Sequence, residues 1–288
     1  MLTRILLSGV RLMALLPLSW LRALGGVLGL VLYVLVVKRR RVVWINLRWC
    51  FPQLGVGQVR RLALRHFICV AQSWLDRGWL WHGRPALVRR RLHLRGALAE
   101  LAGTEPTVLF APHFVGMDAA WTALTQQVER RFITIYTNQA NPVSDAWILA
   151  GRRRFGAVQL CGRIDGVKPI VAGLRSGALL YLLPDMNFGP HESVFVPFYG
   201  VPAATVPSLS RFARLGRAKV QVVLSRLTSA GYEIEVLPAW SDFPGSDLIA
   251  DTALMNRRLQ DYIDSMPAQY YWVHKRFKDR PDGAAPPY

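Results

Sequence analysis

Between Ala23 and Val37 fifteen residues pass without a charge, and the next four are Lys38-Arg39-Arg40-Arg41. An apolar stretch from Met13 to Leu21 precedes this run and is separated from it by Arg22. A helix that crosses a bilayer wants about 20 apolar residues. Three placements therefore fit: a tilted span, a span whose Arg22 snorkels to the headgroups, and a helix lying in the interface. The bland alternative is a core helix of a soluble protein, for which the basic flank is an accident. A secretory signal carries its charge first and a small-residue cleavage site last. Here a basic block comes last and no A-x-A site follows, so residues 1–41 read as a retained membrane anchor with its basic flank. The positive-inside tendency puts whatever follows residue 41 on the cytoplasmic side, although Arg4 and Arg11 pull the other way. Gly25 and Gly29 form a G-x-x-x-G pair, too common a pattern to argue dimerisation.

The remaining chain is long and apolar enough to bury a core: 288 residues, 52% hydrophobic, which excludes wholesale disorder. Its formal charge is +18, and 31 of the 36 cationic side chains are Arg, so the preferred partner is anionic. A guanidinium fork grips carboxylate or phosphate oxygens in pairs, which suits phosphorylated partners better than a Lys-rich surface does. Nucleic acid is disfavoured, because the cations are dispersed and no helix-turn-helix, RNA-recognition or zinc-finger pattern occurs. Cys50, Cys69 and Cys161 are odd in number and lack Cys-x-x-Cys spacing, which argues against a disulfide framework or a zinc site. The six His are likewise scattered without ligand spacing, so no metal is expected.

Residues 42–100 carry apolar positions on recurring helical faces, Leu62, Leu64, Phe67, Ile68 and Val70 among them, with Arg between; Pro85 separates two such helices. Beyond residue 100, β-type runs occur at Thr107–Ala111, Phe132–Tyr136, Ala178–Leu183, Lys219–Leu224 and Tyr232–Leu237, with helix-length segments between the first four. That alternation predicts an α/β fold: a mixed, largely parallel sheet flanked by helices, closed by an antiparallel pair at the last two runs. The expected organisation is an anchor over 1–41, a helical segment over 42–100 packed on the catalytic domain, and that α/β domain over 101–288.

Directly after the first run comes Pro112-His113-Phe114-Val115-Gly116-Met117-Asp118, and ligands gather at the ends of parallel strands. A five-residue separation in a continuous helix puts two side chains about 140° apart, so His113 and Asp118 meet only if the chain bends, which Gly116 permits. With Asp118 accepting from one ring nitrogen, the other becomes a base able to deprotonate a hydroxyl that attacks an ester or thioester carbonyl. A lone His is more often a core or capping residue, and the serine-hydrolase elbow G-x-S-x-G is missing. A second segment, Pro184-Asp185-Met186-Asn187-Phe188-Gly189-Pro190, follows another buried run and delivers an acid and an amide to the same sheet edge. For Asp185, turn stabilisation and a binding role weigh about equally. The Pro-punctuated stretch Ser193 to Thr205 is suited to lining a groove for an alkyl chain, although core packing explains its aromatics nearly as well.

Taken together, these residues resemble the lipid A biosynthesis acyltransferases, late acyltransferases of the lysophospholipid acyltransferase superfamily. The resemblance covers nearly the whole chain. It rests on the N-terminal anchor, on H-x4-D at His113 and Asp118, on PDMNFGP-x-x-SVFVPFYG from Pro184 to Gly200, and on PAQYYWVHKRFK from Pro267 to Lys278. It implies transfer of a fatty acyl group from acyl carrier protein to a hydroxyl of an anionic lipid A precursor, without a cofactor, at the cytoplasmic face of the inner membrane. It further implies that His113 and Asp118 are the catalytic dyad, and that Arg154, Arg163 and Asp185, with Asn187 beside it, contact substrate. Arg152 and Arg153 are read as a solvated basic face. Two departures bear on the acceptor: Tyr136-Thr137-Asn138 stands where family members often carry Tyr-Arg-Pro, and Asn187 where they carry a second acid. A lysophospholipid or ornithine lipid acceptor stays open, as does a membrane scaffold without catalysis.

Overall fold

The runs at 107–110 and 179–182 are buried at every position, which is possible for a strand only when both faces of its sheet are covered. The computed structural model describes residues 2–288; the side chains of Leu2, Ile5, Arg163 and Asp282 lie outside what it describes. Five helices come first, α1 Leu2–Leu12, α2 Leu18–Leu35, α3 Val37–Cys50, α4 Val56–His82 and α5 Pro85–Arg91, and then β1 Leu92–Gly96. The alternating part runs β2 Thr107–Phe110, α6 Met117–Gln127, β3 Arg131–Tyr136, α7 Pro142–Arg152, β4 Ala157–Gly162, α8 Lys168–Arg175 and β5 Leu179–Leu182. A hairpin of β6 Val194–Phe198 and β7 Val201–Thr205 follows, then α9 Ser208–Gly216, β8 Lys219–Thr228, β9 Gly231–Val236 and α10 Leu248–Ser265.

Among the described residues, seven strands form one sheet in the order β1-β9-β8-β2-β5-β3-β4. All neighbours are parallel except β8 and β9, the pair joined by the short turn at 229–230. The mixed, largely parallel sheet flanked by helices is thus the expected one, and all five predicted runs are strands. Two strands were not predicted, and both are sheet edges: β4, whose side chains are mostly half-exposed, and β1, which falls within the segment expected to be helical. An edge strand pairs on one side only and needs no continuous apolar run, so its sequence signal is weak.

The long α4 is the element on which the N-terminal helices are laid. One stripe of α2, Leu21, Gly25 and Gly29, is buried against it. A Cβ at Gly29 would stand 2.4 Å from the Ile68 Cα, and one at Gly25 would stand 2.9 Å from the Gln72 Cα, so glycine at these two positions lets the helix backbones touch. The G-x-x-x-G pair works within the chain. Arg22 does not snorkel: its Nη1 reaches the Asp76 carboxylate at 2.7 and 2.8 Å, and its Nε donates to the Thr228 carbonyl. Asp76 is fully buried and also accepts from Trp79 Nε1 and Tyr232 Oη.

Candidate active site

β2 and β5 run in parallel with Phe110 opposite Leu182, and continuing that register three residues past each strand brings His113 opposite Asp185. The Ala111 N–H still donates to the Leu182 carbonyl, so the pairing extends beyond the strands proper. One Asp185 oxygen accepts from His113 Nδ1 at 2.8 Å and the other from the His113 backbone N–H at 3.0 Å. Asp185 is fully buried. Burial alone raises its pKa, and the facing His113 more than offsets this, so the carboxyl is held below the usual carboxylate range. An ionised carboxylate only accepts, which assigns the proton of a neutral imidazole to Nδ1 and leaves Nε2 with a free lone pair. Nε2 has no hydrogen-bond partner among the described residues.

The loop carrying His113 is braced from the C-terminal side. Its carbonyl accepts from the Tyr271 N–H at 2.9 Å, Val115 N–H donates to the Gln269 carbonyl at 2.8 Å, and Phe114 bridges to Tyr270. The motif Pro267 to Lys278 thus positions the histidine loop. At the bend, a Cβ on Gly116 would stand 2.8 Å from Ser225 Oγ, so the turn into α6 has room for glycine alone without a shift of Ser225.

Asp118 does not meet His113. The bend at Gly116 places it in the first turn of α6, where Oδ2 accepts from Arg77 Nε and Nη2 at 2.9 and 2.8 Å, and Oδ1 from Arg152 Nε and Nη2 at 3.1 and 2.9 Å. Burial pushes this carboxyl up; the Arg152 and Arg77 guanidiniums outweigh it and hold the pKa at about 2. Two arginines on one carboxylate leave a net positive charge. Each presents its edge to Asp118 and keeps Nη1 without a partner among the described residues. Arg77 lies over Trp74 and Trp81, and Arg152 over Tyr136, which fixes both planes.

His113, Arg77 and Arg152 line a single cavity of about 1030 Å³. Its walls are largely apolar, with Leu6, Leu7, Trp74, Ile148, Ile170 and Phe212 among them. This is a volume at the upper end for ligand pockets. The stretch Ser193 to Thr205, expected to line an alkyl groove, forms the β6–β7 hairpin and packs on α10 instead; Asn256 Nδ2 donates to the Pro197 carbonyl.

The other sequence-derived candidates separate. Arg154 spends its donors on the Leu80 and Gly83 carbonyls at the end of α4 and lies over Phe155, so it caps a helix and does not line the cavity. Arg152, read as a solvated residue, is the one turned inward, while Arg153 is exposed. The Arg163 side chain lies outside the described residues. Asn187 accepts from the Gly189 N–H and its backbone N–H donates to His274 Nε2, which makes it a turn residue behind Asp185. Arg77 was missed altogether. Its only signal was a charged pair, Asp76-Arg77, set among tryptophans in WLDRGWLW. Among the described residues, no three His, Cys, Asp or Glu side chains gather as metal ligands do.

The sequence profile described as bacterial lipid A biosynthesis acyltransferase matches residues 1–279 of this chain. A protein of Haemophilus influenzae named lipid A biosynthesis acyltransferase is 30% identical over 94% of this chain and 86% of its own length. The lipid A biosynthesis lauroyltransferase of Escherichia coli is 29% identical over 93% of this chain and 88% of its own, and the palmitoleoyltransferase of the same organism 25% over the same shares.

Proposed function

The chain belongs to the bacterial lipid A biosynthesis acyltransferase family, and from that premise we propose that it moves a fatty acyl group from acyl carrier protein to a hydroxyl of a lipid A precursor, bound to the cytoplasmic face of the inner membrane. The observation that carries this reading is His113: one ring nitrogen is held by buried Asp185, and the ring lines an apolar cavity beside two arginines.

The chemistry follows from these groups. His113 Nε2 takes the proton of the acceptor hydroxyl as its oxygen bonds to the thioester carbonyl carbon. The carbonyl oxygen gains negative charge, within reach of the free N–H groups of Arg77 and Arg152. Collapse of that intermediate breaks the C–S bond, and the imidazolium returns the proton to the leaving thiolate. No acyl-enzyme is needed. Asp185 fixes the tautomer and stabilises the imidazolium, as the acid of a Ser-His-Asp triad does. Asp118 is a positioning residue, since it acts through the two guanidiniums.

Mass spectrometry of total lipids from cells with and without the protein tests the proposal. A lipid A species heavier by one fatty acyl group is expected. A gain confined to phospholipid or ornithine lipid would move the acceptor class, and unchanged lipid masses would overturn acyl transfer.

A further inference from the structure

By length alone α2 could cross a membrane, since 18 helical residues extend about 27 Å against a hydrocarbon core of about 30 Å. A span sends its two flanks to opposite sides, and these flanks go to the same place. Before α2, the Thr3 hydroxyl accepts from Asn141 Nδ2 at the start of α7, and the Val10 carbonyl lies so close to α4 that a Cβ on Gly78 would be 2.3 Å from it. Leu6 and Leu7 line the cavity of His113. After α2, Asn46 Nδ2 on α3 donates to the Trp272 and Trp-proximal His274 carbonyls, both at 2.7 Å, and Arg39 to the Val273 carbonyl. The neighbouring Tyr271 N–H holds His113 itself. Along its length α2 is fastened to α4 by Arg22 on Asp76 and by the Gly25 and Gly29 contacts.

Resting on the acyltransferase reading for its membrane setting, we propose that α2 does not span but lies in the plane of one anionic leaflet, with the mouth of the cavity beside α1 opening into that same leaflet. The apolar face turned away from α4 carries Trp20, Leu24, Val27, Val31, Val34 and Leu35, all exposed. A cationic rim stands at both ends, Arg11 before it and Lys38, Arg39 and Arg41 after it, each exposed. An apolar stripe with cations at its borders is what a headgroup boundary of acidic phospholipid takes up. An acceptor lipid could then keep its chains in the bilayer while its hydroxyl reaches His113.

Two measurements on the full chain decide this. In a background carrying Cys50→Ala, Cys69→Ala and Cys161→Ala, single cysteines are placed by Ser8→Cys and Gly57→Cys, both exposed positions on either side of α2. A membrane-impermeant maleimide applied to right-side-out and inverted inner-membrane vesicles is expected to label both from the same side. Labelling from opposite sides would overturn the proposal. The unaltered protein is also expected to float with vesicles containing phosphatidylglycerol and poorly with pure phosphatidylcholine. Val27→Glu or Val31→Glu should each weaken flotation by about tenfold, the loss of one buried valine. Flotation indifferent to both charge and these substitutions would overturn it too. Neither readout involves acyl transfer, so unchanged lipid masses beside same-side labelling would sink the function and leave the topology, and the reverse pattern the opposite.

Discussion

His113 and Asp185 are 72 residues apart in the chain and face each other across neighbouring parallel strands, one carboxylate binding both the ring and the backbone N–H of the histidine. The arrangement makes Asp185, rather than the nearer Asp118, the group that sets the imidazole tautomer. Asp185→Asn is therefore expected to lower kcat by roughly 10²–10⁴-fold with little change in KM, comparable to His113→Ala. Steady-state kinetics of both variants, with circular dichroism to establish folding, make the comparison. An Asp185→Asn enzyme turning over at the parent rate would contradict the assignment.

Asp118 holds two guanidiniums, so its loss leaves like charges facing each other at a buried position. Asp118→Asn is expected to destabilise the fold by about 3–5 kcal/mol, the usual cost of stripping one partner from a buried ion pair. Urea denaturation measures it. Arg152→Gln should leave stability closer to the parent while reducing kcat, since Arg77 still satisfies the carboxylate.

The Arg22–Asp76 pair ties the N-terminal helices to the body. Arg22→Met uncovers a buried carboxylate, and the result expected is early proteolytic release of residues 1–41, visible as a single shortened band after limited digestion. Gly29→Val should act in the same direction, because a side chain there collides with the Ile68 backbone. Digestion kinetics equal to the parent's for both variants would show that the two contacts do not fasten α2.

His66 and His274 are buried, and burial holds each at about 4, with the Ala268 carbonyl partly opposing it for His66 and Arg276 and His113 reinforcing it for His274. An unfolded histidine titrates near 6.5. Between about pH 6.5 and 4 the unfolded chain therefore binds protons that the folded chain refuses, and stability falls as the solution is acidified through that window. Above it these two rings contribute no slope. Urea midpoints at about pH 7 and about pH 5 test this, and His66→Gln should flatten the difference. A midpoint that does not move between the two would mean that the rings are not neutral in the fold.

Residues near in sequence could be read as a site only where local geometry alone decides. Five strands were legible because a core strand needs an unbroken apolar run. The edges β1 and β4 were not, because a strand paired on one side needs none. His113 was legible for the same local reason, standing just past a buried run. Its partner was not: H-x4-D offers Asp118 by proximity, and the turn at Gly116 carries that carboxylate away from the imidazole. Which acid meets the ring follows from the register of β2 on β5, a long-range fact carried by backbone hydrogen bonds.

The basic residues follow the same division. Composition determined that this chain would favour an anionic partner and that its N-terminus would be apolar with cationic borders, since counts and runs are properties of the sequence itself. Among three nearby arginines, only packing decided that Arg152 turns inward while Arg154 caps α4, and it recruited Arg77 from a helix 41 residues before Asp118. Length allowed α2 to span or to lie flat. The folded body decides between them, because the segments before and after α2 must both reach the loop of His113, and a helix whose two ends are held on one surface cannot send them to opposite sides of a bilayer.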